Sequence, residues 1–240
     1  MRNFKLILEY EGTGFHGWQI QPDRRTVQGE LCRAIEEITG ERPGVTGAGR
    51  TDAGVHAVGQ VASFRCETRL HPTVLRRALN ARLPEDIRIR SAEEAALNFN
   101  ARFDAKNRTY HYLLIRRPTA LWRNYYYLVT GELDLAAMRH ALSELLGEKD
   151  FTAFASADDD SATKRCTVRR AELIEAPPLV TLAVTADHFL HHMVRSVAGT
   201  VLEIGRGKPW GMSEIIEAKG RAKSGPTLPP HGLYLMKVTY

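Results

Sequence analysis

The segment from Gly47 to Ala57 contains the residues whose types and spacing best suit chemistry. It reads Gly-Ala-Gly-Arg-Thr-Asp-Ala-Gly-Val-His-Ala, so one carboxylate, Asp52, lies among small residues and two positions after Arg50. Glycine lets the backbone approach a ligand closely or adopt a positive φ. Arg50 and Asp52 share one face if the segment is extended. The pattern favours a cleft in which Asp52 faces a planar ligand.

Two nucleotide-binding loops and a plain turn are the alternatives for this segment. A dinucleotide fingerprint Gly-x-Gly-x-x-Gly needs glycine where Asp52 stands, and a phosphate loop needs Gly-Lys-Ser or Gly-Lys-Thr. Neither pattern is present. A structural turn explains Gly47 and Gly49 but leaves Arg50 and Asp52 unexplained, so a functional loop is favoured.

Length and charge set the class of protein. A chain of 240 residues predicts two similar halves or a bilobal core. We expect a cytoplasmic location, because the sequence shows no apolar run of about eighteen residues and no signal-peptide pattern at its start. Lys and Arg exceed Asp and Glu by 33 − 28 = 5, an excess that permits a polyanionic partner without requiring one.

The candidate metal ligands do not form a metal-binding pattern. Cys32, Cys66 and Cys166 are widely separated and include no Cys-x-x-Cys pair, which argues against a disulfide framework and a structural zinc. If His191 and His192 lie on a helix, their side chains point about 100° apart. The aspartates 158–160 lack the spacing of a calcium loop and predict a solvated loop. We expect no metal.

Alternating and helical periodicities predict the elements that position these residues. The predicted strands are 4–10, 55–64, 87–90, 109–115, 167–175, 179–185 and 234–238. The predicted helices are 26–38, with Thr26 as N-cap, 72–83, 135–146 and 191–204. Segments 155–163 and 223–232 are predicted to be mobile loops. The order predicts an α+β protein with two sheet-plus-helix halves, 1–105 and 106–240, and a ligand groove between them.

Several motifs in order along the chain resemble the tRNA pseudouridine synthase A family. They are Tyr10-Glu11-Gly12-Thr13, His16-Gly17-Trp18-Gln19, Gly47 to Ala57 with Gly59-Gln60-Val61, Arg108-Thr109-Tyr110-His111-Tyr112, Phe189 to Arg195, and Pro230-His231-Gly232-Leu233. The resemblance covers essentially the whole chain. Glu11 departs from it, since aspartate is commoner there, but this position lies outside the expected chemistry.

The resemblance implies a fold, a reaction and partners. It implies the pseudouridine synthase fold, in which two ferredoxin-like halves form a continuous mixed, mostly antiparallel sheet with a central active-site cleft. It also implies isomerisation of uridine to pseudouridine in the anticodon stem-loop of tRNA, by a homodimer without a cofactor. Asp52 is then the essential carboxylate, and the target nucleotide is expected to flip out of the stem.

The resemblance also implies roles for three substrate-binding residues. Arg195 matches the basic residue that faces the carboxylate, whereas the residues alone favour a solvent-facing helix arginine. Arg50 is expected to handle RNA by filling the space of an extruded base. Tyr110 matches the substrate-contacting tyrosine and shares a strand face with Arg108 and Tyr112; stacking, base recognition and proton transfer all remain open for it. Tyr112 is expected to be structural.

Basic residues recur in both halves and predict a surface for RNA. The set comprises Arg76, Arg77, Arg82, Lys106, Arg108, Arg116, Arg117, Arg123, Arg206 and Lys208, with Trp122 and Tyr125 to Tyr127 interleaved. A non-catalytic RNA-binding module and a nucleotide-dependent enzyme are the rival functions. The intact Arg-Thr-Asp segment disfavours the first, and failure to bind ATP or NAD would dismiss the second.

Overall fold

The structure, a computed structural model, describes residues 1–220 and 223–240. The chain divides into one unit formed by Met1–Lys106 with Tyr234–Tyr240 and a second formed by Asn107–Leu233. The sequence division at 105 and 106 placed the last strand in the second half, and the structure corrects this. That strand pairs parallel with a strand of the first unit, with Tyr234 opposite His56 and Leu235 opposite Ala57.

The first unit is a mixed sheet with two helices. Its strands are β1 (Arg2–Tyr10), β2 (Thr46–Gly47), β3 (His56–Cys66), β4 (Ile87–Ala95) and β10 (Leu233–Thr239), and its helices are α1 (Val27–Thr39) and α2 (Pro72–Arg82). The strand order is β4-β1-β3-β10, with β2 beside β3. β1 is antiparallel to both neighbours, and alternate residues Phe4, Leu6 and Leu8 are fully buried.

Local sequence signals explain the two helices of the first unit. The Thr26 side chain accepts a hydrogen bond from the Gly29 N–H, which confirms the predicted N-cap and satisfies one of the free donors at the helix start. α1 ends where Gly40 adopts a φ of 76°, a conformation that favours glycine. α2 begins at Pro72 and buries Leu75 and Leu79, as expected for proline in the first turn.

The second unit is also a sheet with helices. Its strands are β5 (Asn107–Ile115), β6 (Tyr127–Leu128), β7 (Gly147–Asp150), β8 (Arg165–Ala176) and β9 (Leu179–Ala186), and its helices are α3 (Leu135–Ser143), α4 (Met193–Gly205) and α5 (Met212–Ala218). The order β5-β9-β8-β7 is antiparallel throughout. β6 lies parallel to β5. α4 is the most buried helix described, with eleven buried residues.

The α+β class and every predicted strand and helix are confirmed, with shifts at the ends. The short elements β2, β6, β7 and α5 were not predicted, because two to seven residues carry little periodicity. α4 begins at Met193 rather than at 191, because His192 has a φ of 62°. No described helix is long and apolar enough to cross a membrane; α1 and α4 are the longest described, with 13 residues each.

Candidate active site

Asp52 lies in the loop that joins β2 to β3. Before it, the Ala48 N–H donates to the Val61 carbonyl over 2.8 Å. After it, the Val55 N–H donates to the Asp52 carbonyl over 3.2 Å and closes a turn in which Gly54 has a φ of 79°. Asp52 itself is half-buried. Hydrogen bonds therefore fix the backbone on both sides of Asp52, which lies in the turn.

Buried side chains hold the loop on the inner side. The Thr51 Oγ1 lies 2.7 Å from the Tyr10 hydroxyl, and both residues are buried. The Gln60 Nε2 donates to the Gly49 carbonyl over 2.8 Å. Burial raises the pKa of Tyr10 to about 12, so its hydroxyl stays protonated at neutral pH. Thr51 is buried, whereas Arg50 is exposed and Asp52 is half-buried.

The segment around Trp18 also supports this loop. The Trp18 N–H donates to the Thr51 carbonyl over 3.0 Å, and the Gly54 N–H donates to the Phe15 carbonyl over 3.3 Å. The indole of Trp18 is 1% exposed and covers Gly47, where an added Cβ would lie 2.4 Å from the ring. Gly47 therefore makes room for Trp18, whereas the sequence suggested an approach to a ligand.

His56 belongs to the core of the first unit. Its ring is 2% exposed and stacks on Tyr234, with centroids 4.7 Å apart. Its Nδ1 accepts a hydrogen bond from the Gly12 N–H over 3.0 Å. His56 therefore packs in the core rather than lying exposed.

Tyr110 lies in the middle of β5, in the second unit. Burial alternates along the strand, so Arg108, Tyr110 and Tyr112 face one side and Thr109 and His111 the other. The predicted arrangement is confirmed. The Tyr110 and Phe189 rings pack in a T-shaped arrangement, with centroids 5.1 Å apart, which is a preferred aromatic geometry. This contact fixes the ring orientation beside the segment that leads into α4.

Tyr112 is structural, as expected. It is fully buried, and its hydroxyl donates to the Pro229 carbonyl over 2.7 Å. Burial raises the pKa of Tyr112, and the positive charge of Arg195 opposes that rise. The hydroxyl is therefore a permanent donor that ties β5 to the segment before β10.

Arg195 lies in the first turn of α4 and is half-buried. Its Nε donates to the Leu228 carbonyl over 2.7 Å, and the Leu228 N–H donates back to the Arg195 carbonyl over 3.3 Å. The direction of the side chain is therefore fixed within the second unit. The solvent-facing helix arginine that the residues alone favoured is wrong.

Segment 225–232, which includes Leu228, packs against α4, contrary to the expected mobile loop. The Gly225 N–H donates to Thr200 Oγ1 over 2.8 Å, and the Thr227 and Ser196 hydroxyls lie 3.0 Å apart. At Gly199 an added Cβ would lie 1.8 Å from the Pro226 carbonyl oxygen. Polar side chains on α4 thus pair with the segment that anchors Arg195.

The aspartates 158–160 and the paired histidines also differ from expectation. The Asp159 side chain is 2% exposed, pairs with Lys164 and accepts the His191 N–H over 2.9 Å. Asp158, which is 73% exposed, lies 3.2 Å from His191 Nδ1. The histidines precede α4, and their rings lie 4.0 Å apart. The solvated-loop prediction is wrong for Asp159, and the helical argument that separated the histidines fails.

The predicted basic surface needs one correction. Arg108 is buried, and its guanidinium donates to the Asp187 carbonyl over 2.6 Å, so it serves the fold rather than the surface. Arg206 is exposed but pairs with Glu203 at 2.8 Å, and Arg82 lies 3.9 Å from Glu37. Arg77, Lys106, Arg116, Arg117, Arg123 and Lys208 are exposed.

Comparison with known proteins decides the family. The profile of the tRNA pseudouridine synthase family matches residues 6–104 and 141–240. The chain belongs to this family. It is 44% identical to the tRNA pseudouridine synthase A of Caldicellulosiruptor bescii, over the full length of both chains. It is 42% identical to that of Acetivibrio thermocellus, also over both full lengths, and 44% identical to that of Geobacillus sp., over all of this chain and 98% of the relative.

The family match confirms the resemblance drawn from the motifs and the pseudouridine synthase fold. The four residues predicted for the site lie in two places: Arg50 and Asp52 in the β2–β3 loop, Tyr110 and Arg195 in the second unit. Sequence reasoning missed the residues that hold them, namely Tyr10, Thr51, Gln60 and Leu228. Tyr10 and Gln60 lie within the family motifs, but a motif gives no partner for a side chain.

Proposed function

We propose that this chain isomerises uridine to pseudouridine in the anticodon stem-loop of tRNA, with Asp52 as the catalytic carboxylate. Membership of the tRNA pseudouridine synthase family supports the reaction on tRNA. The observation that carries the assignment of Asp52 is its loop, held by the buried Tyr10–Thr51 contact and the partly buried Gln60–Gly49 contact. A fixed backbone on the N-terminal side of a half-buried carboxylate suits a group that must meet one reacting atom.

The reaction itself explains why one carboxylate is enough. The bond between uracil N1 and the sugar C1′ breaks, a bond between C5 and C1′ forms, and the C5 proton is lost while N1 gains one. No oxidant, reductant or water is consumed, so the proposal needs no cofactor. Asp52 can attack C1′ or add to the pyrimidine and then leave. A paired and stacked uridine hides these atoms, so the proposal includes base flipping.

The other site residues support the carboxylate and the base. Arg195 is assigned as the positive charge that faces Asp52, because a carboxylate withdrawn from water needs a cation beside it. This pairing rests on the family resemblance and on electrostatics. Tyr110 contacts the uracil, and exposed Arg50 contacts RNA beside Asp52. We further propose a homodimer, as the resemblance implies, and a cytoplasmic location, as the sequence predicts.

Replacement of Asp52 tests the proposal. Asp52→Asn keeps the shape of the side chain but removes its charge, and we expect at least about a thousandfold loss of turnover with most tRNA affinity retained. Release of tritium from C5-labelled uridine in tRNA measures turnover, and filter binding measures affinity. Glu85→Gln removes the same charge from an exposed position in the same unit and should leave both unchanged.

Two outcomes would contradict the proposal. Near-normal tritium release by Asp52→Asn would rule out Asp52 as the catalytic group. Tight tRNA binding by the unaltered protein without any tritium release would favour the non-catalytic RNA-binding module. Mapping pseudouridine in tRNA from cells that lack the protein then tests the anticodon stem-loop as the target.

A further inference from the structure

Residues 116–124, here called the arginine–tryptophan loop, carry the two most exposed large apolar side chains described in the second unit. Leu121 is 63% exposed and Trp122 is 61% exposed. Arg116, Arg117 and Arg123 are exposed as well. An indole usually gains more from burial than any other side chain, so its position on the surface beside three cations requires an explanation.

The ends of the loop are firmly attached. The Arg116 N–H donates to the Pro178 carbonyl over 2.9 Å. Beyond the loop, β6 lies parallel to β5, and the Val129 N–H donates to the Ile115 carbonyl over 2.9 Å. The chain therefore leaves β5 and returns to it, and the loop presents its side chains from a fixed base.

Trp122 has an unusual backbone conformation. Its φ is 56°, in the left-handed region where a bulky residue is rare and costs free energy. The Tyr125 N–H donates to the Trp122 carbonyl over 2.9 Å and closes the turn. The turn thus holds a strained tryptophan on the outside, a combination that folding alone does not favour.

The arginines of the loop are unpaired, unlike others in the same unit. Arg165 pairs with Glu148, and Arg206 with Glu203, each at 2.8 Å. Within residues 1–220 and 223–240, no carboxylate lies within ion-pair distance of Arg116, Arg117 or Arg123. The loop therefore carries three uncompensated positive charges and one exposed indole ring.

We propose that Trp122 stacks against an unpaired base of the tRNA substrate while Arg116, Arg117 and Arg123 contact its phosphates. This inference rests on the proposed function and adds a positioning contact to it. Sites for unpaired nucleotides combine a positive surface with exposed aromatic rings, because every base has a π-face and every linkage has a charge. A protein partner would complement these three positive charges only if its own surface were acidic.

The position of the loop along β5 fits a substrate contact away from the reacting base. Ile115, the last residue of β5, is five residues beyond Tyr110, or roughly 17 Å along the strand. An RNA stem-loop that contacts Tyr110 is long enough to extend over that distance. The loop would then bind the tRNA away from the nucleotide that reacts, and it would affect affinity rather than the chemical step.

Substitution of Trp122 tests the stacking contact. We expect Trp122→Ala to raise Kd and KM for tRNA about tenfold with kcat unchanged, and Trp122→Phe to restore most of the affinity. Leu121→Ala is the matched control, because Leu121 is adjacent and equally exposed but has no π-face, and it should change Kd less than twofold. Equilibrium binding of unmodified tRNA gives Kd, and tritium release gives KM and kcat.

The salt dependence of binding tests the arginines. The slope of log K against log salt concentration should fall by about one for each phosphate contact removed, so Arg117→Gln with Arg123→Gln should lower it by about two. Arg33, which is exposed but pairs with Glu30, provides the control substitution Arg33→Gln, and its slope should not change. A merely structural role for the loop would leave all slopes equal.

Two results would overturn the inference. The first is unchanged Kd for Trp122→Ala. The second is an equal loss of affinity in Leu121→Ala and Trp122→Ala together with a fall in molecular mass in solution, which would make the loop an interface between copies. Both results are measured as Kd and as molecular mass in solution. Failure of the proposed function would instead appear as a lack of turnover in the unaltered protein.

Discussion

The β2–β3 loop and the arginine–tryptophan loop present charged residues in opposite ways. Around Asp52, buried hydrogen bonds involve Tyr10, Thr51 and Gln60, and Trp18 packs against the loop. Around Trp122, the backbone is attached at its ends and closed by a turn at Tyr125, and almost every side chain of residues 116–124 is exposed. The first loop is held by buried side chains, whereas the second is held by its own backbone and leaves its side chains exposed.

The difference separates two demands on an enzyme that acts on a large substrate. A group that reacts must be held to a fraction of an ångström, because a displacement of about 1 Å can cost a hundredfold in rate. Contacts with phosphates and bases far from the reaction tolerate movement, because long arginine side chains can adjust. We therefore expect conservative changes to be harmful in the first loop and mild in the second.

Among the conservative changes, the largest expected effect comes from lengthening the carboxylate. Asp52→Glu keeps the charge but moves it by one methylene, and because the loop cannot adjust we expect kcat to fall about a hundredfold. Arg123→Lys is the corresponding conservative change in the arginine–tryptophan loop and should raise KM less than threefold. Tritium release from labelled tRNA measures both. Equal effects from the two substitutions would break the comparison.

A smaller effect is expected from crowding the contact between Gly47 and Trp18. Gly47→Ala places a methyl group against the buried Trp18 ring, 2.4 Å from its nearest atom, and should lower the free energy of unfolding by about 1–3 kcal/mol together with turnover. Gly44→Ala is the control, because no atom lies within 4 Å of its added Cβ. Denaturant unfolding gives the free energy. An unperturbed Gly47→Ala protein would show that Trp18 does not hold the loop.

The smallest expected effect comes from removing the Asp150 charge. It shows how much a loss of stability in the second unit, without any lost RNA contact, changes the protein. Asp150, 22% exposed, accepts hydrogen bonds from Thr152 and lies 3.1 Å from Lys219. These contacts lower its pKa to about 2. After allowance for solvent screening, we expect Asp150→Asn to cost about 1 kcal/mol at pH 7. Glu132→Gln, at an exposed position in the same unit, should leave the free energy of unfolding unchanged.

The pH dependence of the stabilisation by Asp150 follows from the direction of its pKa shift. Asp150 has a lower pKa in the folded state than in the unfolded state, so its stabilisation is complete above about pH 4 and is lost as the pH falls towards 2. The unfolding curves of Asp150→Asn and of the unaltered protein should therefore converge in acid. A difference that stays constant down to pH 2 would mean that the charge of Asp150 does not stabilise the unit.

The sequence by itself determined the features that depend on neighbouring residues. Periodicity predicted the class and the long elements, Thr26 marked the start of α1, and alternation placed Tyr110 and Tyr112 on one face of β5. The motif around Asp52 indicated the family. These features are local, because a cap, an alternating strand or a motif is complete within about ten residues.

Only the tertiary structure decided which distant residues meet. It placed β10 in the first unit, paired Thr51 with Tyr10 across 41 positions and tied Arg195 to Leu228 across 33. It buried Arg108 but left Arg116, Arg117 and Arg123 exposed, although all four look alike in sequence. The physical reason is that burial and pairing depend on what packs against a side chain, and distant segments of the chain supply those neighbours.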